Sequence, residues 1–116
     1  MSAFRLARVR GEQVAEVWPL PLDRPTRLGR AAPGQVAPDI DLWPDYRVPQ
    51  LHARPVPERG AWWIEDLDSK HGTLVDGREI RGLGRVRLAR GTEIQVGVTT
   101  LLLAAPTCDA SAPTVS

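Results

Sequence analysis

The sequence lacks the features that accompany several large classes of protein. It has one cysteine, Cys108, which excludes a disulfide within the chain and a cysteine-based metal site. Its two histidines are too few for a histidine cluster, so we expect neither a metal nor another cofactor. No apolar run approaches the roughly 18 residues of a membrane helix, and none near Met1 is long enough for a signal peptide. These absences predict a cytoplasmic protein without a membrane partner, whose fold depends on its hydrophobic core.

The chain also lacks an excess of charge of either sign. Fifteen basic and fourteen acidic residues leave a net charge of +1, so no overall field attracts nucleic acid or an anionic membrane. Lys70 is the only lysine, and the other basic residues are arginines. A forked, weakly hydrated guanidinium suits phosphate, although the base composition of the gene also explains this bias. Any anion site must therefore come from a local cluster.

The chain also lacks long segments that are free of proline and glycine. Eleven prolines and ten glycines interrupt the chain about once every five or six residues, which leaves little room for long helices. Short extended runs, several with apolar and polar residues in alternation, lie between the interruptions and predict strands. These runs cover residues 4–10, 14–20, 26–30, 39–42, 51–56, 61–67, 73–75, 86–88, 93–96 and 99–104. A two-residue hairpin turn is predicted at Asp76-Gly77, directly after the run 73–75. The number and spacing of the runs predict an all-β sandwich or barrel.

The domain boundary is predicted from composition. We expect one folded domain over residues 1–105, because a chain of 116 residues fits a single domain. Residues 106–116 (PTCDASAPTVS) have one large aliphatic side chain and are predicted to be a flexible tail or linker. A linker suggests that the domain forms part of a larger, multidomain protein.

Three loop segments contain side chains that suit a phosphate group. Arg30 follows Gly29 at the end of a predicted strand, and glycine permits close approach of the backbone. Gln50 lies in the segment 48–53, VPQLHA, and Lys70 and His71 lie in the polar turn DSKHG. A phosphothreonine has nearly two negative charges and three acceptor oxygens, so binding it requires a forked cation and several donors on loops of a rigid scaffold.

The order and spacing of these segments resemble those of the forkhead-associated (FHA) domain family. That family has G-R, then V-S-R-x-H-A, then D-L-x-S-x-N-G-T-x-V-N-G. This chain has Gly29-Arg30, then the segment 48–53, then residues 66–77, DLDSKHGTLVDG. The stretches DIDL at 39–42 and GTEIQVG at 91–97 also match, so the resemblance covers roughly residues 4–104.

The resemblance implies a fold and a function. It implies a β-sandwich of about eleven short, mostly antiparallel strands, of the SMAD/FHA type. It implies a non-catalytic module that binds phosphothreonine segments of proteins phosphorylated by Ser/Thr kinases. In the family, the residue at Arg30 holds the phosphate, and the residues at Pro49, Gln50 and Lys70 complete the cradle. The residue at His71 holds the peptide backbone.

Four further residues match structural positions of the family motif. His52 corresponds to a histidine that braces the loops, and Gly29, Gly72 and Thr73 shape the backbone around the site. Their implied role is to support the loops rather than to contact the ligand.

The second loop departs from the family pattern. Pro49 stands in place of serine, which removes a hydroxyl and a backbone N–H. Gln50 stands in place of arginine, which removes a charge; Arg47 nearby is a candidate to compensate. His71 in place of asparagine still offers a donor. These departures leave an alternative open, in which the domain is a degenerate FHA scaffold that mediates phosphate-independent protein–protein interaction.

Simpler interpretations accompany each candidate residue. Arg30 could be a solvated residue at a strand end, and His71 a surface turn residue. We interpret His52 as a buried structural histidine. Ser69, His52 and Asp66 could be named as a catalytic triad, but such coincidences are common among polar turn residues, and we predict no enzyme activity.

The tryptophans give separate predictions. Trp62 and Ile64 share one face of a strand and are predicted to be core, while Trp63 points the other way. Trp43 and Tyr46 lie beside the second loop. We predict that they pack under it, although an exposed aromatic there could dock a peptide side chain.

Overall fold

A computed structural model describes residues 4–45, 47–49 and 51–104. The predicted tail, residues 106–116, lies outside these residues, as do Tyr46 and Gln50. Within them the chain contains eleven strands and no helix. The strands are β1 Arg5–Arg10, β2 Gln13–Pro19, β3 Leu28–Gly29, β4 Ile40–Asp41, β5 Ala53–Glu58, β6 Ala61–Asp66, β7 Thr73–Val75, β8 Arg78–Glu79, β9 Arg85–Leu88, β10 Glu93–Val96 and β11 Thr99–Ala104.

The strands form two sheets. The six-stranded sheet has the order β2-β1-β11-β10-β7-β8, and the five-stranded sheet has the order β4-β3-β5-β6-β9. Only β3 and β4, among the strand pairs of the described residues, run parallel, and the others are antiparallel. The predicted all-β sandwich of about eleven short strands is therefore confirmed.

Alternation along the strands builds the core between the sheets. Trp62 and Ile64 point inward, while Trp63 is half-buried on the outer face below the guanidinium of Arg87, as the alternation predicts. The core residues that are fully or almost fully buried are apolar and come from both sheets and from the segments that join their strands. They include Leu6, Leu20, Leu28, Ile40, Leu42, Val48, Ile64, Ile80, Ile94, Val96, Leu101 and Leu103.

A tight turn after β7 brings an additional strand into the fold. Asp76 and Gly77 both have positive φ angles, of 50° and 83°, which suit a two-residue hairpin turn. The chain therefore folds back, and Val75 pairs with Arg78. The sequence predicted the turn but not β8, because Arg78 and Glu79 are exposed and show no apolar alternation.

The first strand buries a charged side chain. Arg8 follows Leu6 by two residues and so shares its core-facing side of the strand, with 5% of its surface exposed. Val9 is half-buried and does not belong to the core cluster. The register of β1 with β2 shifts between Arg8 and Val9, which marks a bulge at the end of the strand.

Three loops meet at one end of the sandwich. The first loop follows β3, the second joins β4 to β5, and the third joins β6 to β7. Hydrogen bonds link them: the amide of Arg30 donates to the Pro49 carbonyl at 2.9 Å, and His52 Nε2 lies 2.7 Å from the Gly72 carbonyl oxygen. In the part of the chain that the structure describes, no helix is long and apolar enough to cross a membrane.

Candidate functional site

Arg30 lies where β3 ends, and the second loop fixes its orientation. β3 is held from both sides, because the amides of Leu42 and His52 donate to the carbonyls of Gly29 and Leu28. Arg30 is half-buried, and its Nε donates to the Val48 carbonyl at 3.0 Å. The guanidinium is therefore positioned by a side-chain bond as well as by its own backbone.

The second loop is attached to Arg30 through Val48 and Pro49. Pro49 is half-buried and its carbonyl accepts the Arg30 amide. Arg47 is exposed, and its amide donates to Asp45 Oδ1 at 3.0 Å. Gln50, a predicted phosphate contact, lies outside the described residues, so only its neighbours can be placed.

Asp66 organises the third loop from inside. Its carboxylate accepts hydrogen bonds from the Ser69 amide at 2.9 Å, the Ser69 hydroxyl at 2.6 Å and the Thr73 hydroxyl at 2.7 Å. The Ser69 hydroxyl in turn accepts the Gly72 amide. Burial raises the pKa of Asp66, but these donors outweigh burial and hold that pKa below its ordinary value. Lys70 and His71, between Ser69 and Gly72, are exposed.

His52 connects the second and third loops from a buried position. Its side chain has no exposed surface, and Nε2 must carry the hydrogen because the Gly72 carbonyl can only accept. Burial lowers the pKa of His52, and the bond to Gly72 opposes that change only in part. His52 therefore stays neutral near pH 7 and braces Gly72 without facing solvent.

The three residues that could be named as a triad do not form one. The Ser69 hydroxyl donates to Asp66, and His52 Nε2 donates to Gly72, so no histidine nitrogen activates the serine. Among the described residues, no group of three His, Cys, Asp or Glu side chains is placed to hold a metal ion.

Glu79 and Arg81 support the third loop, and the sequence analysis missed both. Glu79 Oε2 accepts the amides of Thr73 and Arg81, and its carboxylate occupies the space beside Gly72 where a Cβ would lie. Gly72 also has a φ of 82°, so glycine is needed on two grounds. Arg81 Nη1 donates to the Lys70 carbonyl at 2.9 Å. The hairpin turn at Asp76-Gly77 was the available signal, because a chain that folds back there returns beside the loop.

A buried charged network holds the segment between β4 and β5. Arg8 Nη2 donates to the Leu42 carbonyl at 2.7 Å, and Nη1 donates to the Trp43 carbonyl at 3.1 Å and to Glu16 at 2.8 Å. Asp45, with 5% of its surface exposed, accepts the Val98 amide at 2.8 Å and the Thr99 hydroxyl at 2.7 Å.

Asp45 stays ionised in spite of its burial. Burial raises the pKa of its carboxyl, but the donors from Thr99, Arg47 and Val98 more than offset burial and lower that pKa below its ordinary value. Arg8 contributes a favourable charge. The loop that carries Arg47 and Pro49 is therefore attached to the six-stranded sheet through two buried ionisable side chains.

The prediction that Trp43 packs under the second loop is wrong. Trp43 is 53% exposed. Its amide donates to Asp41 Oδ1 at 3.0 Å, and the same oxygen accepts the amide of Ala31 at 3.0 Å. The space under the loop is filled instead by Leu42 and Val48, which are fully buried, and by the side chains of Arg8 and Asp45.

Two sizeable cavities lie away from the three loops. One, of about 470 Å³, is bounded by Trp18, Thr26 and Ile40, and the other, of about 460 Å³, by Phe4, Leu22 and Trp62. Neither is lined by Arg30, Lys70 or His71.

The lowered pKa values of His52, Asp45 and Asp66 predict that the protein loses stability in acid. A group whose pKa is lowered by folding stabilises the protein above its ordinary pKa and loses that contribution as the pH falls. For His52 the loss begins below pH 6.5, and for Asp45 and Asp66 below pH 3.8. We expect the midpoint of thermal unfolding to be highest near neutral pH, to fall modestly towards pH 5 and steeply below pH 4. Calorimetry from pH 8 to pH 3 checks this, and a midpoint that rises on acidification from pH 7 to pH 5 contradicts it.

Comparisons with known proteins agree with this fold. The family model of the FHA domain matches residues 26–97. An FHA domain of the CT664 protein of Chlamydia trachomatis is similar, with 26% identity and a TM-score of 0.76 over 91% of this chain and 100% of that one. An FHA domain of an Arabidopsis thaliana hypothetical protein gives 25% identity and a TM-score of 0.79 over 96% and 92%.

Another similar structure contains a ligand. The N-terminal FHA domain of Rad53p from S. cerevisiae, in complex with a phosphothreonine peptide, gives 21% identity and a TM-score of 0.71 over 88% of this chain and 92% of that one. A search of curated protein sequences finds no significant match to this chain.

Proposed function

The chain belongs to the forkhead-associated domain family, and from that membership we propose that it binds phosphothreonine segments of partner proteins through its three loops. The observation that carries the proposal is the placement of Arg30. Its guanidinium is held at the junction of the first and second loops by the Val48 carbonyl, and the second loop is braced against the third through His52 and Gly72. A forked cation held in this way suits a phosphate dianion.

Each loop has a proposed part in binding. Arg30 neutralises the phosphate with a forked contact, and Lys70 adds a mobile ammonium from the exposed side of its turn. His71 donates to the phosphate or to the peptide backbone, and Gln50 offers an amide donor. Arg47, exposed beside Pro49, supports the charge of the site.

The supporting residues keep the site in shape before the ligand arrives. His52, Gly29, Gly72 and Thr73 have no proposed contact with the peptide. Thr73 is fully buried and bonded to Asp66, and Gly72 leaves room for the Glu79 carboxylate. Preorganised donors lose little entropy on binding, which favours affinity.

The proposed setting follows from this function. Partners are proteins phosphorylated by Ser/Thr kinases, and the domain carries out no reaction itself. We further propose that the binding domain spans residues 1–105, that residues 106–116 are a flexible linker to further protein, and that the protein acts in the cytoplasm.

Pro49 favours a second candidate function, that of a phosphate-independent interaction scaffold. Pro49 supplies neither the hydroxyl nor the N–H that the family's serine would offer to phosphate. Its carbonyl instead accepts the Arg30 amide, so the loop keeps its structural link while having fewer donors. A scaffold of this kind would bind its partner equally well with and without phosphate.

Replacing Pro49 by serine tests how much these missing donors matter. A hydrogen bond to a charged group contributes about 1.5–3 kcal/mol, so we expect Pro49→Ser to tighten phosphopeptide binding about tenfold. Pro19→Ser is the matched control, because Pro19 is exposed at the Arg5 end of β1, away from the loops. Titration calorimetry with one phosphopeptide measures both. Unchanged affinity in Pro49→Ser would show that the loop does not direct this side chain at the phosphate.

The proposed function is tested by retention on immobilised peptides. A degenerate phosphothreonine library is compared with the same library unphosphorylated, using the full chain. Retention by the phosphorylated library alone supports phosphothreonine docking and yields its sequence preference. Equal retention by both libraries favours the phosphate-independent scaffold, and retention by neither contradicts both functions.

A further inference from the structure

An exposed tryptophan stands next to the proposed phosphate contact. Trp43 is 53% exposed, whereas tryptophan in folded proteins is mostly buried. Asp41 Oδ1 accepts both the Trp43 amide and the amide of Ala31, the residue after Arg30. A single carboxylate oxygen thus joins the backbone that presents the indole to the backbone that presents the guanidinium.

The backbone of Trp43 is fixed on both sides. Its amide is held by Asp41, and its carbonyl accepts Arg8 Nη1 at 3.1 Å. Arg8 and Asp45 are each 5% exposed, and burying ionisable groups costs stability unless they are well bonded. Arg8 and Asp45 therefore hold the loop that carries the partly exposed Trp43. This arrangement fixes the backbone from which the indole projects.

A second exposed apolar side chain lies in the same loop. Leu51 is 41% exposed and precedes His52, which anchors the far end of the second loop. Between Trp43 and Leu51 in the sequence lie the exposed Arg47 and the half-buried Pro49, whose carbonyl is bonded to the Arg30 amide. The loop that positions Arg30 therefore has an exposed apolar residue on each side of Pro49 along the chain.

We propose that Trp43 is a second contact for the bound phosphopeptide, which takes an apolar side chain from the segment flanking the phosphothreonine. This inference rests on the proposed function. An indole offers a large, rigid, amphipathic surface with only two side-chain torsions to order, so it binds an aliphatic or aromatic group at low entropic cost. Charge and phosphate geometry do not distinguish one phosphothreonine segment from another, and the Trp43 contact supplies that selectivity.

The experiment is a double-mutant cycle between protein and peptide. A peptide is selected from the degenerate phosphothreonine library with wild-type protein, and a second peptide replaces its preferred apolar residue by alanine. Wild type, Trp43→Ala and Trp43→Phe are titrated with both peptides. Leu22→Ala is the matched control, because Leu22 is 47% exposed near Phe4 and away from the loops. The cycle isolates the pairwise contact from effects on folding.

The expected result is a loss that depends on the peptide. Trp43→Ala should weaken binding of the selected peptide about tenfold and binding of the alanine peptide less than about twofold. Trp43→Phe should have an intermediate effect, and Leu22→Ala should leave both affinities unchanged. This inference is overturned if Trp43→Ala weakens binding of both peptides equally, or of neither, while binding still depends on phosphate. The proposed function would then still stand. If wild-type protein binds both libraries equally or not at all, the proposed function fails, and this inference fails with it.

Discussion

Arg30→Ala is expected to abolish phosphopeptide binding while leaving the fold intact. A forked contact between guanidinium and phosphate contains two charge-assisted hydrogen bonds, each contributing about 1.5–3 kcal/mol. Their loss should weaken binding at least about hundredfold. The cost to stability is smaller, since Arg30 is half-buried at a strand end and its bond to the Val48 carbonyl is worth about 1 kcal/mol. Titration calorimetry and thermal unfolding measure the two effects separately.

Two further variants make the Arg30 result specific. Arg30→Lys keeps the charge but not the fork, so binding should be recovered only in part. Arg27→Ala removes a guanidinium three residues earlier that pairs with Asp39 at the surface, and it should leave binding unchanged. Binding that survives in Arg30→Ala would exclude Arg30 as the phosphate contact.

Asp45→Ala is expected to have the largest effect on stability. The substitution removes the acceptor of the Arg47 and Val98 amides and of the Thr99 hydroxyl. It also removes one of two carboxylates that favour the charge of buried Arg8, and leaves only the ion pair with Glu16. Breaking buried charged networks of this kind costs about 3 kcal/mol, which lowers the unfolding midpoint by roughly 10–15 °C. Calorimetry measures the shift.

The matched control for Asp45→Ala is Asp39→Ala. Asp39 also accepts a backbone amide and faces an arginine, Arg27, but its side chain is 36% exposed. Loss of that surface pair should cost at most about 1 kcal/mol. Equal destabilisation by the two substitutions would show that the buried network does not hold the second loop. Asp45→Ala should also weaken phosphopeptide binding, because Pro49 and Val48 position Arg30.

The local features of the fold could be predicted from the sequence. Alternation in segments such as Ala61–Asp66 identified which tryptophan faces the core, and Asp76-Gly77 identified a hairpin turn because both residues accept positive φ angles. Both signals are contained within a few residues. The order of the three loop segments could also be read from the sequence, because the spacing of a motif is a property of the sequence itself.

Contacts between distant segments could not be predicted in the same way. Arg8 reaches the carbonyls of Leu42 and Trp43, more than thirty residues away, and nothing near Arg8 in the sequence indicates these partners. Glu79 and Arg81 brace the third loop only because β8 folds back against β7. The exposure of Trp43 follows from what already fills the space beneath the loop, which the residue type does not reveal.

The most direct test of phosphothreonine docking is a chemical-shift titration of the ¹⁵N-labelled chain with one library-selected peptide, phosphorylated and unphosphorylated. We expect the phosphopeptide to shift the amides of residues 29–31, 47–48 and 69–73 and the unphosphorylated peptide to leave them unchanged. Identical shifts with both peptides, or phosphate-dependent shifts confined to the sheets away from these loops, would contradict the proposed site.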